Sequence, residues 1–178
     1  MPTVEIRRAT EHDAESLALV HVKAWQWAYR GLMPDSLLDG LDVERRSAGW
    51  KRLIRDGLAP TPHLAVIDSK IAGFSHADTS GDDDADPQVG EVTALYLLAE
   101  FVGTGVGRRL WEAAVDQLHG SGHTAFSVWV LDSNKRGRTF YERRGMSLDE
   151  ATKEQVFAGS TLSEVRYRSK LVSRRGGQ

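Results

Sequence analysis

The run Gly103-Thr104-Gly105-Val106-Gly107-Arg108 has the composition and spacing that point most directly to chemistry. It follows the apolar stretch Leu95-Tyr96-Leu97-Leu98 and opens a segment in which Val106, Leu110, Ala113, Ala114 and Leu118 recur at helical spacing. Glycines at a strand-to-helix turn let the backbone approach a ligand. The unsatisfied N–H groups of a helix's first turn, at the positive end of its dipole, suit a phosphate or pyrophosphate. Three alternating glycines also suit a tight turn that binds nothing. Two nucleotide motifs are set aside: no Lys-Ser or Lys-Thr follows these glycines, as a phosphate-binding loop of the Walker type needs. The dinucleotide fingerprint requires a third glycine where Arg108 stands, and normally sits on the first strand of its fold.

The elements that must position this turn are legible on both sides of it. Val4, Ile6 and Arg8 alternate with polar neighbours as a short strand, and Thr10 with Asp13 forms a capping-box pattern ahead of a helix. Ala14, Ala18, Val22, Trp25 and Tyr29 carry that helix until Gly31 and Pro34 stop it; Asp42 caps a second helix through Trp50, Leu53 and Ile54. Residues 63–68 and 71–78 read as two strands joined at Ser69-Lys70, and residues 79–88, with four aspartates, as an exposed loop. Residues 89–98 form the next strand, continuously apolar at its end as in a strand covered on both faces. After the glycine turn and its helix, residues 125–131 form another apolar strand, Ser133 caps a helix through Phe140 and Tyr141 to Gly145, and Val165, Tyr167, Ser169 and Leu171 alternate as a last strand. The expected order is β-α-α-β-β-β-α-β-α-β-β. The last strand is suited either to pair across a homodimer or to serve as an ordinary edge.

Composition narrows the function classes. The 178 residues carry 23 Lys plus Arg against 25 Asp plus Glu, so no global basic field exists to hold nucleic acid. No run approaches the ~18 apolar residues of a membrane-spanning helix, and the charged N-terminus has no apolar leader core, so a cytoplasmic protein without a membrane partner is expected. The absence of cysteine excludes disulfides, thiolate nucleophiles and Cys-ligated zinc. His12, His21, His63, His76, His119 and His123 show no metal-ligand spacing, and no metal is expected.

Residues 91–107, Glu91-Val92-Thr93-Ala94-Leu95-Tyr96-Leu97-Leu98-Ala99-Glu100-Phe101-Val102-Gly103-Thr104-Gly105-Val106-Gly107, resemble the strand and acetyl-CoA loop of the GNAT superfamily of N-acetyltransferases. Downstream, Trp129-Val130-Leu131, Asn134 and Phe140-Tyr141-Glu142-Arg143-Arg144-Gly145-Met146 resemble the family's fifth strand and following helix. The resemblance implies an α/β (α+β) fold: a mixed, mostly antiparallel sheet of about seven strands, splayed between the fourth and fifth, with helices on both faces. It implies a single domain over residues 1–172, followed by a flexible tail at 173–178. One departure is Val102, where the family commonly has Gln or Arg; with the pyrophosphate held by backbone N–H groups, a valine affects the loop's outer contacts and not its identity.

By this resemblance the co-substrate is acetyl-CoA, held by Leu95, Leu97, Val102, Gly103, Thr104, Gly105, Val106, Gly107, Arg108 and Asn134. Leu97 offers main-chain atoms to the pantetheine arm and thioester carbonyl, a strong place for a backbone donor. An aliphatic ammonium, with a pKa near ~10.4, must lose a proton before it attacks. Glu91 resembles the family's general base, acting through a water, and Tyr141 its donor to the departing thiolate. The acceptor is a small-molecule or peptide amine, with Trp27, Tyr29 and His76 as its expected contacts. With no cysteine for a thioester intermediate, transfer is expected to be direct; a CoA-binding sensor without turnover is the alternative. The aspartates of residues 82–86 are either a solvated loop or a cation-attracting mouth.

Overall fold

The structure, a computed structural model, describes residues 3–157 and 159–171. The expected tail at 173–178, and residue 172 before it, lie outside the described residues. In chain order come β1 (Val4–Arg8), α1 (Ala14–Ala28), α2 (Asp35–Asp39), α3 (Val43–Asp56), β2 (His63–Ile67), β3 (Lys70–Thr79), β4 (Val89–Leu97), α4 (Val106–Gly120), β5 (Ala125–Leu131), α5 (Lys135–Glu142), β6 (Ser147–Phe157) and β7 (Ser160–Lys170). They build a seven-stranded sheet in the order β1-β2-β3-β4-β5-β7-β6. All pairings are antiparallel except β4 with β5. Among the described residues no helix is long and apolar enough to cross a membrane.

Local chemistry sets the element ends. Thr10 and Asp13 close the expected capping box over a 3-10 turn that leads into α1. The Asp42 carboxylate accepts the Arg45 N–H at the start of α3, and Gly57 ends that helix in the left-handed region, φ 60°. Two expectations are corrected. The β2–β3 turn is centred on Asp68 and Ser69, φ 47° and 64°, and not on Ser69-Lys70, because a tight hairpin needs two successive left-handed residues to match strand twist and an aspartate tolerates that region. Asn134, not Ser133, caps α5: its side-chain oxygen accepts the Gly137 N–H at 3.0 Å. The five-residue α2 has no counterpart in the expected order; its Leu38, fully buried, packs with Met33 and Leu131.

The two faces of the sheet are covered by different helices. On one, Trp111, Ala114 and Leu118 of α4 pack with Phe126, Val128, Val130, Val165 and Tyr167. On the other, Leu17 and Val20 of α1 pack with Leu64 and Phe74, joined by Trp50 and Ile54 of α3. The end of β4 is packed on both faces, as its unbroken apolar run suggests: the partly buried Leu95 and Leu97 join a cluster with Val106 and Leu110, while the partly buried Ala94, Tyr96 and Leu98 join the α1–α3 cluster.

Candidate active site

Strand β4 pairs with β5 only through Val89–Ala125, Gly90–Phe126 and Glu91–Ser127. Beyond Glu91 the two strands part, although β4 continues to pair with β3 as far as Leu97. A bulge at Thr93 accompanies the parting: Ala94 lies opposite His76 and Val92 opposite Ala77, so Thr93 has no partner of its own. From Val92 onward the main-chain groups of β4 that face β5 are therefore free for a ligand.

A cavity of about 690 Å³ occupies this split and extends over the glycine turn. Gly103 and Gly105 take φ 83° and 91°, which only glycine adopts without strain, and a Cβ at either would meet nothing within 4 Å. The first α4 bond runs from Arg109 N–H to Gly105 C=O, so the N–H groups of Val106, Gly107 and Arg108 are the free donors of the helix start. A Cβ at Gly107 would lie in ordinary van der Waals contact with Leu97 Cδ1 at 3.4 Å and Phe140 Cε2 at 3.8 Å, so this glycine packs closely against the end of β4 and α5 without being sterically required.

The structure brings Leu95, Leu97, Val102, Gly103, Thr104, Gly105, Val106, Gly107, Arg108, Asn134, Tyr141 and Trp27 together on this cavity. Val102 is 39% exposed at its rim. With Asn134 Oδ1 committed to the cap, its Nδ2 is left to donate. Tyr141 is buried against Trp111, Phe140 and Tyr167, and its hydroxyl makes no hydrogen bond among the described residues. Burial, with a smaller contribution from Tyr96, holds its pKa well above the usual phenol value, so it carries its proton at neutral pH.

Glu91, Tyr29 and His76 do not line the cavity. Tyr29 lies behind it, its hydroxyl 3.2 Å from that of Tyr96, which does line it. His76 faces Trp50 of α3. Its Nε2–H donates to the Pro60 carbonyl at 2.8 Å, which leaves Nδ1 to accept from Thr93 Oγ1 at 2.6 Å, and burial lowers its pKa. Glu91 sits at the base of the split, half-buried, on the face away from α4. Burial raises its pKa first, and the charges of Asp82 and Glu164 add to this while Lys153 and Arg166 oppose it.

The loop between β3 and β4 is largely exposed, as its composition suggests, with Asp83, Asp84 and Asp86 at the surface, but Asp82 is drawn inward. The Asp82 side chain is only 4% exposed, and its carboxylate accepts from Trp129 Nε1 (3.1 Å), Lys153 Nζ (2.7 Å) and Arg166 (3.0 Å). Asp84 takes a second, bidentate share of the Arg166 guanidinium, which also reaches Asp149. Asp82 and Asp84 neutralise the buried Arg166 and hold the loop down, so these two carboxylates are not free to attract a further cation.

Reading the sequence missed the cationic rim. Arg109, Arg136, Arg143 and Arg144 line the cavity beside Arg108. Arg136 stacks on Trp27, its guanidinium carbon 4.3 Å from the ring centre, so α5 and α1 meet across one end of the cavity. The signal was present as Lys135, Arg136, Arg138, Arg143 and Arg144 within one short segment.

The strand split and the glycine turn thus open on one cation-rimmed cavity suited to an elongated anionic ligand. The chain belongs to the GNAT family of acetyltransferases, whose family model matches residues 21–146. It is accordingly an N-acetyltransferase with acetyl-CoA as co-substrate. It is 30% identical, over 83% of its length and 96% of the relative's, to an uncharacterized N-acetyltransferase of Archaeoglobus fulgidus. It is 22% identical to the spermidine N(1)-acetyltransferase of Thermoplasma acidophilum, over 83% of this chain and 91% of that one. The fold matches the crystal structure of PaiA N-acetyltransferase from Thermoplasma acidophilum in complex with coenzyme A, with a TM-score of 0.73 and 21% identity over 95% of this chain and 99% of that one.

Proposed function

We propose that the protein transfers the acetyl group of acetyl-CoA directly to a primary amine within a ternary complex. The observation that carries this reading is the cavity that joins the free donors of the α4 start, the free main-chain edge of β4 and the unbonded hydroxyl of Tyr141. The pyrophosphate lies on the glycine turn, the arginine rim meets the remaining phosphate charge, and the pantetheine arm pairs with β4 in place of β5. Asn134 Nδ2 donates to that arm. The amine nitrogen attacks the thioester carbonyl; the C–N bond forms, the C–S bond breaks, and the thiolate leaves with a proton from Tyr141. A backbone N–H of Leu97 meets the developing oxyanion, and Glu91 takes the proton of the amine through a water.

Thiol release measured with acetyl-CoA and a panel of primary amines tests this. Turnover with intersecting double-reciprocal plots is the expected result, and parallel plots would overturn direct transfer. Tight CoA binding without turnover on any amine would overturn the enzymatic reading.

A further inference from the structure

The main chain of β4 changes phase at its bulge. In an antiparallel pair, hydrogen-bonded and non-hydrogen-bonded partners alternate, so every second residue turns its N–H and C=O to the neighbouring strand and the residues between turn theirs away. Ser80 N–H donates to Val89 C=O at 2.9 Å, so Val89 and Glu91 turn their main-chain groups to β3, and Gly90 and Val92 turn theirs to β5. At the other end Leu98 N–H donates to Ala72 C=O, also at 2.9 Å, so Tyr96 and Ala94 turn to β3. Leu95 and Leu97 therefore present their main-chain groups at the open edge, and both line the cavity.

Packing demands this change of phase without choosing its exact place. Val92 and Leu95 both pack in the cluster under α4, although a regular strand sets residues three apart on opposite faces. One irregular residue must stand between them, and either Thr93 or Ala94 would serve. Ala94 packs with the α1–α3 cluster, whereas the Thr93 side chain is exposed. What holds Thr93 is a hydrogen bond across the strand pair: its hydroxyl donates to His76 Nδ1 at 2.6 Å. That imidazole is itself fixed. It is 8% exposed, its Nε2–H donates to the Pro60 carbonyl at 2.8 Å, and its ring stands edge-on to Trp50 of α3.

We propose that His76 is a positioning residue for the thioester end of the cofactor: by pinning Thr93 it keeps the irregular step at the root of the strand split, so that the edge groups of Leu95 and Leu97 stand where the pantetheine arm meets them. His76 touches neither cofactor nor amine and acts through Thr93. A step free to move between Thr93 and Ala94 displaces the edge beyond it, and a misplacement of about 1 Å is enough to slow a reaction on the order of a hundredfold. This rests on the reading of β4 as the strand that receives the arm.

Calorimetry compares CoA with 3′-phosphoadenosine 5′-diphosphate, which lacks the pantetheine arm, on the parent, Thr93→Val, Thr93→Ser and His76→Phe. Steady-state kinetics with acetyl-CoA and a primary amine run beside it. Thr93→Val keeps the side-chain shape at an exposed position and removes only the bond to His76; Thr93→Ser keeps the hydroxyl. Thr93→Val and His76→Phe are expected to lower CoA affinity and kcat by about tenfold each while binding the nucleotide as the parent does, and Thr93→Ser to behave as the parent. Parent-like CoA affinity and kcat in Thr93→Val would overturn the role of His76. So would a loss shared equally by CoA and the nucleotide, the mark of a general loosening, or a Thr93→Ser variant that behaves as Thr93→Val. CoA binding that depends on Thr93 without turnover on any amine would support the positioning of the arm while overturning the transferase reading. A parent protein that binds CoA no more tightly than the nucleotide would overturn the placement of the arm on β4, and the role of His76 with it.

Discussion

Glu91 and Ser127 are the last partners in the parallel pairing of β4 with β5, and the strands diverge immediately beyond them. Glu91 thus lies at the root of the split whose other end holds Tyr141 and Asn134. Its half-buried carboxylate is raised by burial and by the charges of Asp82 and Glu164.

A base with a raised pKa ionises at higher pH than an ordinary carboxylate, so the acid limb of the rate profile is expected above the usual carboxylate range. Glu91→Gln should remove that limb and regain activity at alkaline pH, where the free amine is abundant. The same shift has a sign for stability. The folded state binds the Glu91 proton more tightly than the unfolded state, so stability falls as pH rises from about 4.5 through the raised value. Thermal unfolding of Glu91→Gln is expected to lack this fall. A parent-like rate profile in the variant would assign deprotonation elsewhere.

Tyr141→Phe removes the hydroxyl while keeping the ring contacts to Trp111, Phe140 and Tyr167. Turnover is expected to drop on the order of a hundredfold, with acetyl-CoA affinity nearly unchanged, as steady-state kinetics beside calorimetry would read. An unchanged kcat would leave Tyr141 a packing residue only.

Gly105→Asp places a negative charge and a left-handed non-glycine residue at the start of α4, where φ is 91°. Loss of acetyl-CoA binding with retention of helical circular dichroism is the expected outcome. A folded variant that binds like the parent would remove the glycine turn from the cofactor site.

Arg143 and Arg144 both line the cavity, and neither makes an ion pair among the described residues. The double replacement by Ala should weaken acetyl-CoA binding and flatten its dependence on salt, because exposed guanidinium–phosphate attraction is screened. Calorimetry at low and high salt checks both parts.

Arg166→Leu leaves Asp82, buried to 4% exposure, with Lys153 and Trp129 alone. Removing one member of such a network is expected to cost about 3 kcal/mol in urea unfolding. A loss near zero would show the loop to be held by other contacts.

Several features of this protein follow from sequence-local physics. The turn at residues 103–108 had to be a strand-to-helix junction because its glycines follow an unbroken apolar strand and precede a helical stripe, and both lie where expected. Trp27 falls off the apolar stripe of α1 and does face the cavity, whereas Trp25 and Tyr29 lie on the stripe and pack with Met33, Leu38 and Leu131. The capping box at Thr10 and the cap at Asp42 are likewise local hydrogen bonds between near neighbours, which spacing alone reveals.

Long-range pairing decided the rest. Asp82 and Arg166 stand 84 residues apart, and only the order β4-β5-β7-β6 brings the aspartate loop onto the arginine, drawing one member of a solvated acidic run into a buried ion pair. Glu164 reads in the sequence as the polar phase of an alternating strand; pairing with Leu131 on one side and Lys153 on the other sets it on the same face as Glu91, where the Lys153 charge opposes the effect of its burial. The sequence by itself determined periodicity, caps and the phosphate-suited turn, because each depends on residues within a few positions of one another. The tertiary structure decided which charges are matched and which line the cavity, because electrostatic pairing depends on distance in space.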